Sequence, residues 1–339
     1  MYEAIAGSAQ TIDLMAFEAH LERWLRSFEG DSPTYAMLRY HFGLDAAHVR
    51  RGKRLRPHLT MLVAAAEGAA PDVAHDAAAA VEILHNYSLV HDDIEDRDAM
   101  RHGRATVWKR YGDAHGINTG DAMCALSYLA LLNNEAGHPP ERVVTMSRIL
   151  HEANLAMCAG QGLDISFESA PAVSLDEYYA MIEGKTAALF AAAGALGAIS
   201  AGGSDERVGA YRSMGRAYGL AFQIRDDVLG IWGSPQETGK PAGADISRRK
   251  WTYPIAWTLQ HGGGPGRTLV AEAYAGGAPL GDGAAQAVIR ALGDVGAREA
   301  ADAACDELLA SAERSADQAA VDRERAVRLF FAKGARRNV

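Results

Sequence analysis

The chain has 339 residues, 48% hydrophobic and 23% charged, which is enough apolar material to bury a large core. Its net charge of -9 and the lack of a long Lys/Arg block exclude the basic footprint of a nucleic-acid-binding protein, so a polyanionic ligand must be met by local cations. Cys124, Cys158 and Cys305 are scattered without CxxC spacing, which gives neither a zinc site nor a disulfide framework and points to a reducing, cytoplasmic compartment.

The first residues, Met-Tyr-Glu-Ala-Ile-Ala, have no basic n-region and no apolar h-region, so no secretory leader is expected. Leu14, Phe17, Leu21, Leu25 and Phe28 recur every three or four residues and predict an amphipathic helix. Ala80, Val81, Leu84, Ser88 and His91 do the same and lead into Leu-Val-His-Asp-Asp-Ile-Glu-Asp-Arg. There Asp92, Asp93 and Asp96 sit on an apolar helical stretch, and Asp92 and Asp96, four residues apart, share one face. An exposed acidic stripe is the ordinary reading of such a run, but the apolar flanks argue against it. Burying uncompensated like charges costs roughly several kcal/mol per ion, so the cluster asks for a divalent cation.

Ser174 with Glu177 fits a capping box and predicts a helix start just before Tyr178 and Tyr179. The longest apolar stretch, 186–203, is mostly Ala and Gly and falls short of the roughly 20 strongly apolar residues of a membrane span. A buried helix packed closely on its neighbours is expected there, and no integral membrane segment. A second acidic pair, Asp226 and Asp227, follows another helix-compatible stretch. Two such helices facing each other would line a cleft with carboxylates, and magnesium, which borrows ligands from substrate phosphates, makes a diphosphate the expected ligand. Directly after it, 233–249 is a Gly/Pro-rich loop that carries Lys240 and reads as a lid.

Breakers at 68–71, 137–140, 169–171, 202–204, 262–265 and 276–279 divide the chain into about a dozen antiparallel helices. No segment shows sustained period-2 alternation, and neither an internal repeat nor a dividing linker is present. The expected fold is all-α, one helical domain over 1–339.

These residues together resemble the trans-isoprenyl diphosphate synthases, the polyprenyl synthetase family. The resemblance runs from about Gly52 to Lys250 through Gly52-Lys53-Arg54-Leu55-Arg56-Pro57, Asp92-Asp93-Ile94-Glu95-Asp96, Arg101, Gly120-Asp121, Gln161-Gly162-Leu163-Asp164, Lys185-Thr186, Gln223 with Asp226-Asp227, and Gly239-Lys240. A lone DDxxD is weak; an ordered series of motifs is specific. The resemblance implies a helical bundle around a deep central cavity, usually a homodimer, condensing isopentenyl diphosphate 1'-4 onto an allylic diphosphate. Ionising the allylic C–O bond puts charge on the leaving diphosphate, which prearranged cations must stabilise while water is kept out. The resemblance assigns two magnesium ions to Asp92 and Asp96, with Asp93 in the same motif, and a third to Asp226. Arg101, Lys185 and Lys240 would clamp the allylic diphosphate, with Thr186 and Gln223 in support. Lys53, Arg56 and His85 would take isopentenyl diphosphate without metal.

Three positions depart from the family pattern. Gly230 stands where the last aspartate of the second motif is usual, which leaves the metal-bridging load on Asp226 with Asp227 in support and implies weaker binding of the third ion. His102 replaces an arginine that contacts isopentenyl diphosphate, and a histidine cannot make arginine's bidentate fork; Arg104 is the candidate to compensate. Ala105 replaces a common proline. One turn before Asp92, Tyr87 and Ser88 would form the floor that stops the growing tail, a pattern that resembles enzymes making C15 to C20 products, with geranylgeranyl favoured over farnesyl diphosphate. A class I terpene cyclase of the same fold is the alternative, favoured by His102 and Gly230 and opposed by Lys53, Arg56 and His85. A non-catalytic partner subunit would normally shed the first motif, which is intact here.

Overall fold

Helical periodicity in the sequence becomes helix along nearly the whole chain in the computed structural model, which describes residues 12–28, 30, 32–46, 52–234, 243–276 and 278–319. In chain order these are α1 (Leu14–Ser27), α2 (Pro33–His41), α3 (Leu55–Ala66), α4 (His75–Glu95), α5 (Val107–Tyr111), α6 (Asp113–Asn133), α7 (Pro140–Phe167), α8 (Leu175–Ile182), α9 (Ala188–Ser200) and α10 (Asp205–Trp232). They continue as α11 (Ala244–Ser247), α12 (Tyr253–His261), α13 (Gly264–Tyr274), α14 (Asp282–Asp294) and α15 (Ala297–Ala319). The helices beyond the expected dozen include α5 and α11, each too short to show a sequence period. A single hairpin, β1 (Met100–Arg101) with β2 (Arg104–Ala105), is the only sheet among the described residues.

By their contacts the described residues form two compact units, drawn from Met1–Glu152 with Ala192–Arg212 and from Ala153–Ala191 with Ser213–Asp317. In the first, α4 is the central helix: Ala78, Ala79, Ala80, Val81, Ile83 and Leu84 are all fully buried. Apolar side chains at consecutive positions cover every side of the helix there, which places this stretch in a core, and each buried Val, Ile or Leu contributes about 1.5–3 kcal/mol. One flank of α4 lies against α6 so closely that a Cβ on Gly120 would be 2.2 Å from His91 Nε2. The His91 ring meets the Ile117 carbonyl at 3.1 Å and takes the edge of the Tyr87 ring at a centroid distance of 5.6 Å. Asp92, one residue and about 100° further round the helix, belongs to a different face.

The second unit begins with the expected capping box. Ser174 Oγ accepts from the Glu177 amide at 3.2 Å, while Glu177 Oε2 accepts from the Ser174 amide at 2.8 Å. Its core gathers Tyr178, Met181, Ile224, Val228, Ile255, Val288 and Leu292. Leu175–Ser200 is the one stretch among the described residues long and apolar enough to cross a membrane, but 78% of its most apolar window is buried in protein. In the first unit, the Ala/Gly composition of α9 is explained by close approach, because a Cβ on Gly197 would lie 2.2 Å from the Thr60 carbonyl oxygen. This is a core helix, as the sequence predicts.

Candidate active site

α4 ends in the first aspartate motif. Asp96 is the C-cap, its amide closing on the Asp92 carbonyl at 2.8 Å, so the two carboxylates stand one turn apart at the helix C-terminus. That is the unfavourable pole for anions: the macrodipole gathers negative partial charge there, and α4 has no basic residue in its last turn. Asp92 is half-buried and Asp96 exposed. Among the described residues no group of three or more His, Cys, Asp or Glu side chains is placed to hold an ion by itself. This donor set fits magnesium, which takes one or two carboxylates and completes its octahedron with water and phosphate oxygens.

Asp93 does something else. It is 2% exposed and holds Arg101, whose Nε donates to Asp93 Oδ1 and Oδ2 at 3.0 and 3.2 Å, with Nη2 2.8 Å from Oδ1. Burial raises the Asp93 carboxyl above its ordinary range, against the pull of Arg101. The pair fixes the guanidinium in place while leaving N–H groups that Asp93 does not use. Arg101 ends β1, and His102 and Gly103 make the turn with φ of 51° and 79°, as a type I' hairpin requires. Histidine is among the residues that tolerate this region, and the turn holds His102 exposed. Arg104 is committed elsewhere: Nη2 donates to Asp45 Oδ1 and Oδ2 at 3.0 and 2.8 Å, Nη1 donates to the Tyr40 carbonyl at 3.2 Å, and the guanidinium lies 4.1 Å over the Tyr40 ring. The compensation expected of Arg104 is therefore not what this geometry offers.

Two turns before Asp92, His85 is half-buried on roughly the same face. Burial, then the charges of Arg56, Arg101 and Arg54, push its pKa well below the ordinary value, so it is neutral at pH 7. His41, which no sequence motif marks, has Nε2 3.0 Å from Asn86 Oδ1, and burial and Arg101 lower its pKa to about 3. Asn86 in turn donates to Glu82 Oε1 at 2.8 Å, and Arg54 binds Glu82 and Glu18, both at 2.6 Å. Burial is the larger cause of both shifts and the guanidinium charges add to it, so these imidazoles have hydrogen bonds and not charge to offer an anion. Lys53 is exposed and Arg56 half-buried beside it in sequence. Ser88 Oγ donates to the His85 carbonyl at 2.8 Å, and Tyr87 is 8% exposed on the His91 side.

In the second unit the chain departs from the α-helix. Glu183–Ala187, between α8 and α9, is a π-helical turn, a feature often found at functional sites, and it carries Lys185 and Thr186. It crosses α7 with backbone in contact: a Cβ on Gly160 would lie 2.1 Å from the Lys185 amide nitrogen, and one on Gly184 2.6 Å from the Ala156 carbonyl oxygen. One turn beyond Gly160, Asp164 Oδ2 accepts from Lys185 Nζ at 2.5 Å. Thr186 Oγ1 donates to Gln223 Oε1 at 2.8 Å, and Gln223 Nε2 donates to Asp227 Oδ1 at 3.0 Å. Asp227 Oδ2 also accepts from the Tyr178 hydroxyl at 2.7 Å and the Tyr253 amide at 3.0 Å. Asp227 is 2% exposed, and burial raises its pKa to about 6 against Lys250 and these donors. Asp226, its half-buried neighbour, lies near the C-terminus of α10, which like α4 has no basic residue in its last turn. Lys240 and the rest of 235–242 lie outside the described residues.

The polyprenyl synthetase family model matches residues 44–291. The chain belongs to the polyprenyl synthetase family. It is 45% identical over 237 residues to (2E,6E)-farnesyl diphosphate synthase of Mycobacterium tuberculosis, covering 68% of this chain and 65% of that one. It is 41% identical over 233 residues to geranylgeranyl diphosphate synthase of the same organism, covering 67% and 65%. The matched region thus spans 65% of the length of each of these two relatives. Among solved structures, a polyprenyl synthetase from Streptomyces coelicolor A3(2) superposes with a TM-score of 0.83 at 33% identity, over 95% of this chain and 98% of that one. A polyprenyl synthase from Caulobacter crescentus CB15, in complex with calcium and isoprenyl diphosphate, gives 0.82 at 26% identity, over 96% of both chains. The all-helical isoprenoid synthase fold expected from the sequence is the fold observed. In this chain, Asp93, Asp164, Tyr178 and the Tyr253 amide hold the groups that the motifs name. Only Asp93 and Asp164 stand in motifs, and no sequence pattern gives either a partner.

Proposed function

We propose that this chain is a prenyltransferase that condenses isopentenyl diphosphate with allylic diphosphates of C5 to C15 into a short-chain all-trans prenyl diphosphate, geranylgeranyl in preference to farnesyl. The observation that carries the reading is Asp92 and Asp96 one turn apart at the C-terminal end of α4, on the helix face that carries His85 two turns earlier. Both types of relative above, and the isoprenyl diphosphate in the Caulobacter structure, support the substrate class.

Asp92 and Asp96 would hold two magnesium ions and Asp226 a third. When bound, magnesium neutralises charge on the departing diphosphate oxygens. Arg101, fixed by Asp93, and Lys185, fixed by Asp164, bind and orient the allylic diphosphate; Lys240 joins them by resemblance. Thr186, Gln223 and Asp227 form a hydrogen-bonded chain that ties the π-helical turn to α10. Lys53 and Arg56 bind isopentenyl diphosphate, and neutral His85 gives it a hydrogen bond instead of a charge. His102, held exposed by its turn, adds a donor.

One domain over 1–339 is the working organisation, supported by a family match that runs through both units. A homodimer is supported by the exposed apolar side chains Leu129 and Leu132 on α6, and a cytoplasmic location by three free thiols.

The test is incubation with magnesium, labelled isopentenyl diphosphate and each of the C5, C10 and C15 allylic diphosphates. Chain extension with label is expected; a cyclic hydrocarbon made without isopentenyl diphosphate overturns the reading in favour of a cyclase. Tyr87→Ala should shift the products to longer chains by mass spectrometry, and an unchanged distribution removes Tyr87 from the floor.

A further inference from the structure

Arg54 is the N-cap of α3 and sits in the left-handed region, with φ 52° and ψ 38°. Few residues other than glycine, asparagine and aspartate adopt that region, and an N-cap is ordinarily extended. The Arg54 side chain makes no hydrogen bond to the helix end that would offset the strain. Such a backbone persists only where its surroundings over-determine it.

The surroundings here are two carboxylates. Arg54 is 8% exposed, its Nε donating to Glu18 Oε1 on α1 and its Nη1 to Glu82 Oε1 on α4, both at 2.6 Å. Burial works against the guanidinium charge, and Glu82 and Glu18 overcome it, raising the pKa above the ordinary arginine value. Glu82 is buried and held in its turn: Asn86 donates to the same oxygen at 2.8 Å, and its own Oδ1 lies 3.0 Å from His41 Nε2 at the end of α2. Three helices thus brace one guanidinium, and through it the backbone of residue 54.

That backbone lies between two cations of the proposed site. Lys53 precedes it, and Arg56 follows on the first turn of α3, where after burial its charge is the next largest influence on His85. The chain has only two soft dihedrals per residue, so an extended residue 54 would swing Lys53 away from Arg56. We infer that Arg54 is a positioning residue for isopentenyl diphosphate, its two ion pairs holding a left-handed backbone that brings Lys53 and Arg56 to the same anion. The inference rests on the function proposed above. The Arg54 guanidinium, committed to Glu18 and Glu82, acts through the backbone and not on the substrate.

The experiment compares two double variants, both carrying Glu82→Gln so that no buried carboxylate is stranded. Glutamine at 82 keeps an oxygen for Asn86. Arg54→Gln with Glu82→Gln should raise the KM for isopentenyl diphosphate by about 5- to 30-fold, the penalty for a non-glycine residue in the left-handed region. Arg54→Gly with Glu82→Gln should raise it only about 2-fold, since glycine enters that region freely. In both, kcat and the KM for the allylic diphosphate should stay near wild type, whereas a merely structural role would move all three together. Glu18→Gln, at the part-exposed end of the clamp, serves if the first double variant is unfolded by circular dichroism, and should raise the same KM by about 2- to 5-fold. A folded Arg54→Gln double variant with wild-type KM, an Arg54→Gly double variant equally impaired, or an unchanged KM in Glu18→Gln overturns the inference and leaves the proposed function standing. Wild-type protein that incorporates no isopentenyl diphosphate overturns both.

Discussion

Asp226→Ala should leave the fold intact and reduce condensation by about 10³-fold or more, whereas Asp227→Ala should cost about 3 kcal/mol or more of stability before any effect on chemistry. The two residues are adjacent in sequence and have opposite surroundings. Asp226 is half-buried, and losing a partly solvated carboxylate costs the fold less than losing an enclosed one. Asp227 is enclosed and accepts from Tyr178, Tyr253 and Gln223, which tie α8, α12 and α10 together. Truncation strands a fully buried phenol hydroxyl and a buried amide, each costing about 1–3 kcal/mol. Thermal unfolding by circular dichroism alongside turnover separates the two cases.

The pH dependence supplies a second check on Asp227. Its folded pKa of about 6 is above the unfolded carboxylate value, so the folded state holds the proton more tightly. The stability this gives is fully present below the unfolded pKa and is lost as pH rises through 6. The gap between wild type and Asp227→Ala should accordingly widen by about 1–2 kcal/mol from pH 8 to pH 5. A gap that narrows over this range would show that burial does not govern the group.

What was legible in the sequence was whatever repeats or has a local signature. The Ser174 capping box, the amphipathic pattern of α1 and the Ala/Gly run of α9 each encode their structure within a few residues. The acidic motifs were legible because carboxylates on apolar helices need an explanation. The partners of those motifs were not. Nothing in the sequence says that Asp93 binds Arg101, because the pairing depends on a hairpin that reverses the chain after α4. His102-Gly103 does carry a usable signal, a residue tolerant of positive φ before glycine, which is the pattern of a two-residue turn. The π-helical turn at Glu183–Ala187 leaves no trace in periodicity, since one extra residue in a single turn is too short to register.

Gly160→Ala should destabilise the protein by about 3 kcal/mol or more and raise the KM for the allylic diphosphate in whatever fraction folds. The reason lies in the crossing of α7 with the π-helical turn. The new methyl would lie 2.1 Å from the Lys185 amide nitrogen and 2.7 Å from the Gly184 carbonyl carbon, both backbone atoms that no rotamer change can move aside. Relief requires the two segments to separate, which carries Lys185 away from Asp164 and strains the Thr186–Gln223 hydrogen bond. Gly162, two residues along the same helix, has nothing within 4 Å of an added Cβ, so Gly162→Ala should be neutral or stabilise by about 0.5–1 kcal/mol through helix propensity alone. Urea unfolding of the two variants compares them directly. Equal effects at 160 and 162 would mean that the crossing yields easily, and Lys185 would then owe its position to Asp164 and not to backbone contact.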